Sequence, residues 1–123
     1  MDRDHIERWL TSYRRAWRSD NPADIKALFT EEATYSPYPF AGAWHGVDQI
    51  VEGWIGHHDS EKIWTFEHEI LAIDGDTAII HGETHYDASP EEPESDFSNI
   101  WLVRFAEDGR AREFREWWVE RSR

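Results

Sequence analysis

Apolar residues in the first part of the chain recur at helical intervals. A stripe with charged residues on its other side predicts an amphipathic first helix; its members are Ile6, Trp9, Leu10, Tyr13 and Trp17. Asn21 and Pro22 are typical of a helix N-cap and first helical position, and predict a short second helix reaching Phe29. A third stripe from Val47 to Ile55 predicts a third helix.

From Ile63 onward the apolar period changes to two, which is typical of strands. Alternation near residues 63–73, 77–87, 97–106 and 110–120 predicts a four-stranded antiparallel meander. Asp74-Gly75-Asp76, the polar stretch SPEEPESD and Asp108-Gly109 separate the strands. We expect SPEEPESD to be a solvated, mobile hairpin loop, and ATYSPYPFAGAWHG, before the third helix, to be a short extended piece and a loop. The fold class is therefore α+β, in one domain over residues 1–123.

The turn at Asp108-Gly109 determines which side chains share a face of the last hairpin. A two- or four-residue turn there pairs Val103 with Phe114, Trp101 with Glu116, Asn99 with Trp118 and, on the other face, Arg104 with Glu113. The first three pairs place one amide and one acid among apolar side chains. We expect this face to point inward.

The register of the earlier hairpin allows two alternatives for His68. A three-residue turn at residues 74–76 pairs Ile70 with Ile80, His68 with Gly82 and Trp64 with Tyr86, so His68 points inward. A two-residue turn would shift the register by one and place His68 beside His81, Glu83 and His85. We prefer the first because it collects the apolar residues on one face.

The inward acid is the main candidate for chemistry. A carboxyl group between Trp101 and Trp118 would be poorly solvated, which would raise the pKa of Glu116 toward neutrality and suit it to general acid or base catalysis. Asn99 could orient a substrate carbonyl or hold the carboxylate, and His68 could be a proton partner. Two alternatives remain for Glu116: a structural hydrogen bond, or a ligand anchor without turnover.

Aromatic side chains would line the rest of a small-molecule pocket, because such pockets are mostly apolar with a few polar groups. The candidate ligand-binding residues are Tyr13, Trp17, Tyr35, Tyr38, Trp54, Tyr86, Trp101, Phe114 and Trp118. Two of these, Tyr13 and Trp17, are at helical spacings that are more typical of a helix core than of a ligand wall.

We predict neither a metal nor a cofactor. His81, Glu83 and His85 share a strand face, but no fourth ligand follows at a diagnostic spacing, and we expect that face to point away from the pocket. The chain also has no glycine-rich phosphate loop.

Charge and composition limit the partners and the location. A formal net charge of -13 would repel phosphate backbones, so nucleic acid is not an expected partner. No apolar run has the length of a membrane span, the start MDRDHIERW has no signal-peptide core, and cysteine is absent. We therefore expect a soluble cytoplasmic protein with no membrane partner. Trp117, on the outer sheet face beside Ile100, would be covered in a homodimer.

Several motifs together resemble the nuclear transport factor 2-like superfamily, and more narrowly its SnoaL-like branch. They are the three N-terminal helices, AGAWHG before the third helix, and NIWLVRF, EDGR and EFREWW at the end of the chain. The resemblance implies a cone-shaped α+β fold, with three N-terminal helices packed on a curved antiparallel sheet around a small-molecule site. It also implies homodimers that pack through their sheets.

The resemblance leaves the reaction open, because the superfamily includes isomerases, cyclases, dehydratases, epoxide hydrolases and binding domains. Ketosteroid isomerases have an aspartate base after the second helix, where this chain has ATYSPYPF, and a second acid where it has Trp101. Only Tyr13 roughly matches their catalytic tyrosine. We expect a cofactor-independent isomerase, cyclase or lyase-like enzyme acting on a small hydrophobic carbonyl compound. The alternative is a non-catalytic ligand-binding or dimerisation module.

Overall fold

A computed structural model describes residues 1–122 and contains three α-helices and six β-strands over that range. The helices are α1 (Arg3–Ser19), α2 (Pro22–Lys26) and α3 (Val47–Gly56). The strands are β1 (Phe29–Ser36), β2 (Trp44–His45), β3 (Trp64–Asp74), β4 (Thr77–Tyr86), β5 (Ser95–Phe105) and β6 (Ala111–Glu120). One turn of 3-10 helix, Asp59–Glu61, connects α3 to β3.

All three predicted helices are present, and their caps explain where two of them begin. Asp2 accepts a hydrogen bond of 2.9 Å from the backbone N–H of His5 at the start of α1. Asn21 accepts one of 2.9 Å from Ala23 N–H, and Pro22 occupies the first turn of α2, as predicted. Within residues 1–122, no helix is long and apolar enough to cross a membrane.

The predicted extension of the second helix to Phe29 is wrong, because α2 ends at Lys26 and Phe29 begins β1. Backbone pairing with the end of the chain overrides the local helical pattern. Phe29 pairs with Ala111 of β6, and Ala111 N–H donates a hydrogen bond of 2.8 Å to Leu28 C=O. The Phe29 side chain is fully buried in the core.

The predicted meander is confirmed as β3 to β6, with antiparallel pairing throughout, but it is only part of the sheet. The order across the curved, unclosed sheet is β2-β1-β6-β5-β4-β3. β1 pairs in parallel with β6, and the two-residue β2 pairs antiparallel with β1. The stretch predicted as a short extended piece and a loop therefore contributes its two ends to the sheet, with a loop over residues 37–43 between them. β5 also begins at Ser95, earlier than predicted and inside SPEEPESD.

The predicted register of the last hairpin is confirmed by its four pairs, which are Val103–Phe114, Trp101–Glu116, Asn99–Trp118 and Arg104–Glu113. Gly109 adopts a φ of 91° in the turn, a conformation that favours glycine. Because side chains alternate along a strand, this register places Asn99, Trp101 and Glu116 on the same face.

The predicted pairs of the β3–β4 hairpin are also confirmed, including His68 with Gly82, but the turn differs from the prediction. Asp74 pairs with Thr77, so the turn has only two residues. An irregularity between Ile70 and Ala72 leaves Leu71 unpaired, which restores the register that a three-residue turn would have given.

The core lies between α1 and the inner face of the sheet. Trp9, Tyr13 and Trp17 are all buried along one side of α1. Tyr13 packs against the rings of Trp101 and Phe114, with centroid separations of 4.6 and 5.6 Å. Aromatic contacts of this kind hold the helix over the strands and leave a cavity beside them.

Candidate functional site

A cavity of about 470 Å³ lies between the helices and the inner face of the sheet. This volume is in the range of pockets that hold small molecules. Nine of the predicted site residues line it: Tyr13, Trp17, Tyr35, Trp54, Tyr86, Asn99, Trp101, Glu116 and Trp118. They come from α1, β1, α3 and the last three strands, so the cavity depends on the whole fold.

Glu116 is held in the cavity wall by a chain of two hydrogen bonds. Asn99, which is 6% exposed, donates from Nδ2 to Glu116 Oε2 over 2.6 Å. Thr84 Oγ1 donates to Asn99 Oδ1 over 2.8 Å. Since the threonine hydroxyl donates to the oxygen of the amide, the NH₂ group of Asn99 must face the carboxylate. Thr84 therefore fixes the orientation in which Asn99 supports Glu116.

The environment of Glu116 shifts its acidity toward neutral pH. Burial is the largest cause and raises the pKa of Glu116 from 4.5 to about 7, since few groups replace the lost hydration of the carboxylate. The indole of Trp101 and the amide of Asn99 lower the pKa by favouring the charged form, and the negative charge of Asp59 raises it. A group with such a pKa is able both to accept and to donate a proton near pH 7.

The Trp101 indole N–H provides a further donor beside the carboxyl group. It is buried and has no hydrogen bond of ordinary geometry within residues 1–122. Trp101 pairs directly with Glu116 across the β5–β6 hairpin. This N–H is thus available to a carboxylate oxygen or to a ligand atom in the cavity.

Two tyrosine hydroxyls, from α1 and from β1 beside β6, form a buried pair in the cavity wall. Tyr13 Oη and Tyr35 Oη are 2.8 Å apart. Burial is the main cause that raises the pKa of both hydroxyls well above 10, so both stay neutral at physiological pH. One proton is shared within the pair, which leaves the other available to a ligand oxygen.

Asp59 is a second cavity carboxylate, at a position that the sequence pattern did not predict. Its Oδ2 accepts hydrogen bonds of 2.9 Å from the Trp17 indole and from the Tyr86 hydroxyl. Lys62 Nζ lies 3.4 Å from Oδ1. No sequence motif indicates this position, because a three-residue 3-10 turn has no periodic pattern.

Trp44 forms another part of the wall and packs against a glycine of α3. Its indole is stacked on Tyr35 with a centroid separation of 4.9 Å. A Cβ atom on Gly53 would overlap the Trp44 ring, so the close approach of helix and indole requires glycine there. The loop predicted to be solvated also contributes to the lining, through Glu92 and Pro93.

Two of the aromatic candidates lie outside the cavity lining. Phe114 is fully buried behind it, stacked on Tyr35 at 4.4 Å between centroids. Tyr38 is 39% exposed and packs against Trp118, 5.1 Å away. Phe114 therefore supports the wall of the cavity, whereas Tyr38 lies beside its rim.

His68 points toward α1, as the preferred register requires, but it does not line the cavity. Arg14 Nη2 is 2.6 Å from His68 Nδ1, and His68 Nε2 is 3.0 Å from Glu7 Oε1. A guanidinium only donates, so Nδ1 is the acceptor and Nε2 carries the proton shared with Glu7. The candidate catalytic histidine thus joins α1 to β3, away from Glu116.

The outward-facing trio on β4 has partners other than a metal. His81 contacts Glu69 and Ser98, at 3.2 and 3.3 Å, while His85 lies 2.6 Å from Asp96. The described part of the chain contains no group of three or more His, Cys, Asp or Glu residues arranged to hold a metal ion.

Solved structures with the same fold cover nearly the whole chain. The epoxide hydrolase/cyclase-like enzyme SalBIII, with a role in pyran ring formation in the polyether salinomycin, is 16% identical over 96% of this chain and 93% of its own, with a TM-score of 0.77. A ketosteroid isomerase-like protein from Erwinia carotovora atroseptica is 18% identical, over 96% of this chain and 95% of its own (TM-score 0.68). An NTF2-like protein of unknown function from Burkholderia pseudomallei is 14% identical, over 94% and 90% (TM-score 0.71).

Identities this low establish the fold and leave the reaction open. A comparison with curated protein sequences found no match. The family assignment comes from the sequence itself, because a model of the SnoaL-like domain matches residues 9–114. The nuclear transport factor 2-like fold predicted above is confirmed, and the chain belongs to the SnoaL-like domain family.

Proposed function

We propose that this protein is a cofactor-independent enzyme that transfers a proton on a small, largely apolar carbonyl compound, as an isomerase, cyclase or lyase does. One observation carries the proposal. Glu116 lines an aromatic cavity with a pKa of about 7 and a hydrogen bond of 2.6 Å from Asn99. A carboxyl group of this acidity serves as base in its charged form and as acid in its neutral form.

The geometry assigns a separate task to each group. The Glu116 carboxylate removes a proton from the carbon next to the carbonyl, and the electron pair of the C–H bond moves toward the carbonyl oxygen. The Tyr13–Tyr35 pair donates its remaining proton as a hydrogen bond to that oxygen, which gains negative charge. Protonated Glu116 then returns the proton to the same or another carbon. Asn99 keeps the carboxyl group in position and does not exchange a proton.

Two structural neighbours carry descriptions that are compatible with this class of chemistry. SalBIII is described as epoxide hydrolase/cyclase-like, and the Erwinia protein as ketosteroid isomerase-like. Ring closure and isomerisation both need a positioned acid or base in an apolar site. The present chain offers Glu116 for that purpose, on the last strand.

Proton exchange tests the proposal without knowledge of the natural substrate. The probe is 2-tetralone, a compact bicyclic ketone, dissolved in D₂O with the protein, and proton NMR follows the loss of signal at the carbon next to the carbonyl. We expect the protein to accelerate exchange, with a rate that rises with pH around an apparent pKa near 7. Glu116→Gln should lower the accelerated exchange rate by a factor of about 100 or more, since the amide cannot accept the proton.

The matched control is Glu113→Gln, on the same strand. Glu113 pairs with Arg104 at 3.0 Å on the opposite face of the sheet, so its loss should leave exchange nearly unchanged. Equal exchange in the native protein and in Glu116→Gln would contradict the proposal. Binding of 2-tetralone with no accelerated exchange would favour the non-catalytic binding module.

The proposed enzyme is a homodimer that packs through the outer sheet face. Trp117 lies on that face opposite Ile100, and the Arg115 guanidinium lies 4.7 Å from its ring centre. Sedimentation velocity of the native protein and of Trp117→Glu tests this arrangement. We expect the native protein to sediment as a dimer and Trp117→Glu to sediment as a monomer. The substitution would bury a carboxylate in an apolar contact between the subunits.

A further inference from the structure

Asp59 is held in one orientation at the cavity wall. The Trp17 indole and the Tyr86 hydroxyl both donate to Oδ2, which leaves Oδ1 with Lys62 Nζ, 3.4 Å away. A carboxylate has about four lone-pair sites, so Oδ1 has capacity for another donor. The residue immediately before it, His58, has a φ of 55°, a left-handed conformation that is uncommon outside glycine and that is often retained at functional sites.

The charges around the cavity restrict the ligand. Four carboxyl-bearing residues line it, namely Asp59, Glu92, Glu116 and Glu120. The single ammonium among the described lining residues is that of Lys62, which is already close to two of these acids, Asp59 at 3.4 Å and Glu92 at 3.9 Å. A carboxylate or phosphate ligand would meet net repulsion there, whereas an uncharged ligand would not.

Asp59 and Glu116 have different tasks in the same cavity. Glu116 has its pKa raised to about 7 with Asn99 as its hydrogen-bond donor. Asp59 accepts two hydrogen bonds on one oxygen, and its other oxygen, beside the Lys62 ammonium, has capacity to accept another. The cavity thus has one group suited to proton transfer and another suited to accepting a hydrogen bond from a ligand.

We infer that Asp59 is the specificity-determining residue of this site, and that the substrate is an uncharged hydroxy-carbonyl compound whose hydroxyl group donates to Asp59 while its carbonyl lies near Glu116 and the tyrosine pair. The inference rests on the proposed function and adds the substrate class to it. The simpler alternative is that Asp59 serves only as acceptor for Trp17 and Tyr86. In that case a ligand hydroxyl would gain nothing from it.

Equilibrium binding of two matched probes separates these alternatives. The probes are 2-tetralone and 6-hydroxy-2-tetralone, which differ by one hydroxyl group at the end remote from the carbonyl. Isothermal titration calorimetry measures their dissociation constants with the full-length native protein. We expect 6-hydroxy-2-tetralone to bind at least about tenfold more tightly than 2-tetralone, because a hydrogen bond to a charged acceptor typically provides an affinity gain of that size. A third probe, 2-tetralone with a carboxylate at position 6, should bind at least about tenfold more weakly than 2-tetralone because of the acidic lining.

Asp59→Asn retains an oxygen that can accept from Trp17 and Tyr86, so it preserves the fold while removing the charge. It should reduce the preference for the hydroxylated probe over 2-tetralone to about twofold or less, because the hydroxylated probe loses its charged acceptor. The control Asp48→Asn makes the same chemical change at an exposed site on α3, and should retain the native preference. Equal affinity of native protein for the two neutral probes, absence of binding by both, or an equal loss for both probes in Asp59→Asn would each overturn the inference.

This measurement is independent of turnover. If Asp59→Asn has no effect on the preference while Glu116→Gln abolishes proton exchange, the inference fails and the proposed function stands. If the preference depends on Asp59 but no exchange occurs, the site binds hydroxy-carbonyl compounds without the proposed reaction.

Discussion

Asn99 donates a hydrogen bond of 2.6 Å to Glu116. The residue paired directly with Asn99 on the adjacent strand is Trp118, and Glu116 is paired with Trp101. The bond is therefore diagonal across the β5–β6 pair, on the inner face. Thr84, from β4, completes the link by donating to the amide oxygen over 2.8 Å. Three neighbouring strands thus determine the position of one carboxyl group.

Thr84→Val should weaken this link while conserving volume. Asn99 Oδ1 would lose the hydrogen bond from Thr84, so the Asn99 amide would be free to rotate. Rotation would turn Oδ1 toward the Glu116 carboxylate in place of the NH₂ group. We expect the apparent pKa in the proton-exchange profile to rise and the free energy of unfolding to fall by about 1–2 kcal/mol. Thr65→Val, at an exposed position of β3, is the control and should change neither quantity. An unchanged pH profile in Thr84→Val would show that the link does not position Glu116.

Glu116 should make the folded protein less stable as pH rises from about 4.5 to about 7. Its pKa is about 7 in the folded state against 4.5 for an unperturbed glutamate, so the folded state binds more protons in this window. The free energy of unfolding should therefore lose about 2–3 kcal/mol across the window and then stay level. Urea unfolding at about pH 5 and about pH 8 measures it.

Glu116→Gln isolates this contribution, because other titrating groups cancel when the variant is compared with the native protein at each pH. The variant should gain stability relative to the native protein between the two pH values. A difference that is constant with pH would mean that Glu116 ionises normally in the folded state.

Tyr35→Phe should impair proton exchange more than it impairs binding. Without Tyr35, the Tyr13 hydroxyl loses its 2.8 Å partner, and the arrangement that presents a donor to the carbonyl oxygen is lost. Loss of one such donor typically costs a factor of about 100 or more in rate. Tyr38→Phe is the control, since that residue lies outside the cavity lining. Exchange rates and 2-tetralone affinity, measured side by side, distinguish the two effects; a loss confined to affinity would contradict the assigned role.

His68→Asn should affect stability and leave chemistry intact. The histidine accepts from Arg14 and donates to Glu7, so its replacement weakens two contacts between α1 and β3. We expect a loss of about 1–3 kcal/mol in the free energy of unfolding, because Arg14 is left partly unpaired. The rate of 2-tetralone exchange should change less than about twofold. A large fall in exchange rate in folded protein would restore His68 as a catalytic candidate.

The sequence predicted the features that depend on neighbouring residues. Alternation and the Asp108-Gly109 turn set the register of the last hairpin, and this register placed Glu116 and Asn99 on one face as predicted. The pairs around His68 were also predicted, even though the turn is shorter and a bulge compensates for it. Hairpin register is local, so a turn and a period of two are sufficient to specify it.

Other features were decided only by tertiary structure. The parallel pairing of β1 with β6 joins segments far apart in sequence, and no turn between them indicates this pairing. His68 faces inward, yet it contacts Arg14 and Glu7 of α1 and does not line the cavity, because the packing of the helix decides what an inward residue contacts. Asp59 reaches the cavity from a short turn without periodicity. The sequence by itself determined the four strands of the meander, their faces and the acid at Glu116, since these follow from local alternation. The tertiary structure decided the pairing of β1 and β2 and which groups surround that acid, since these depend on contacts between distant segments.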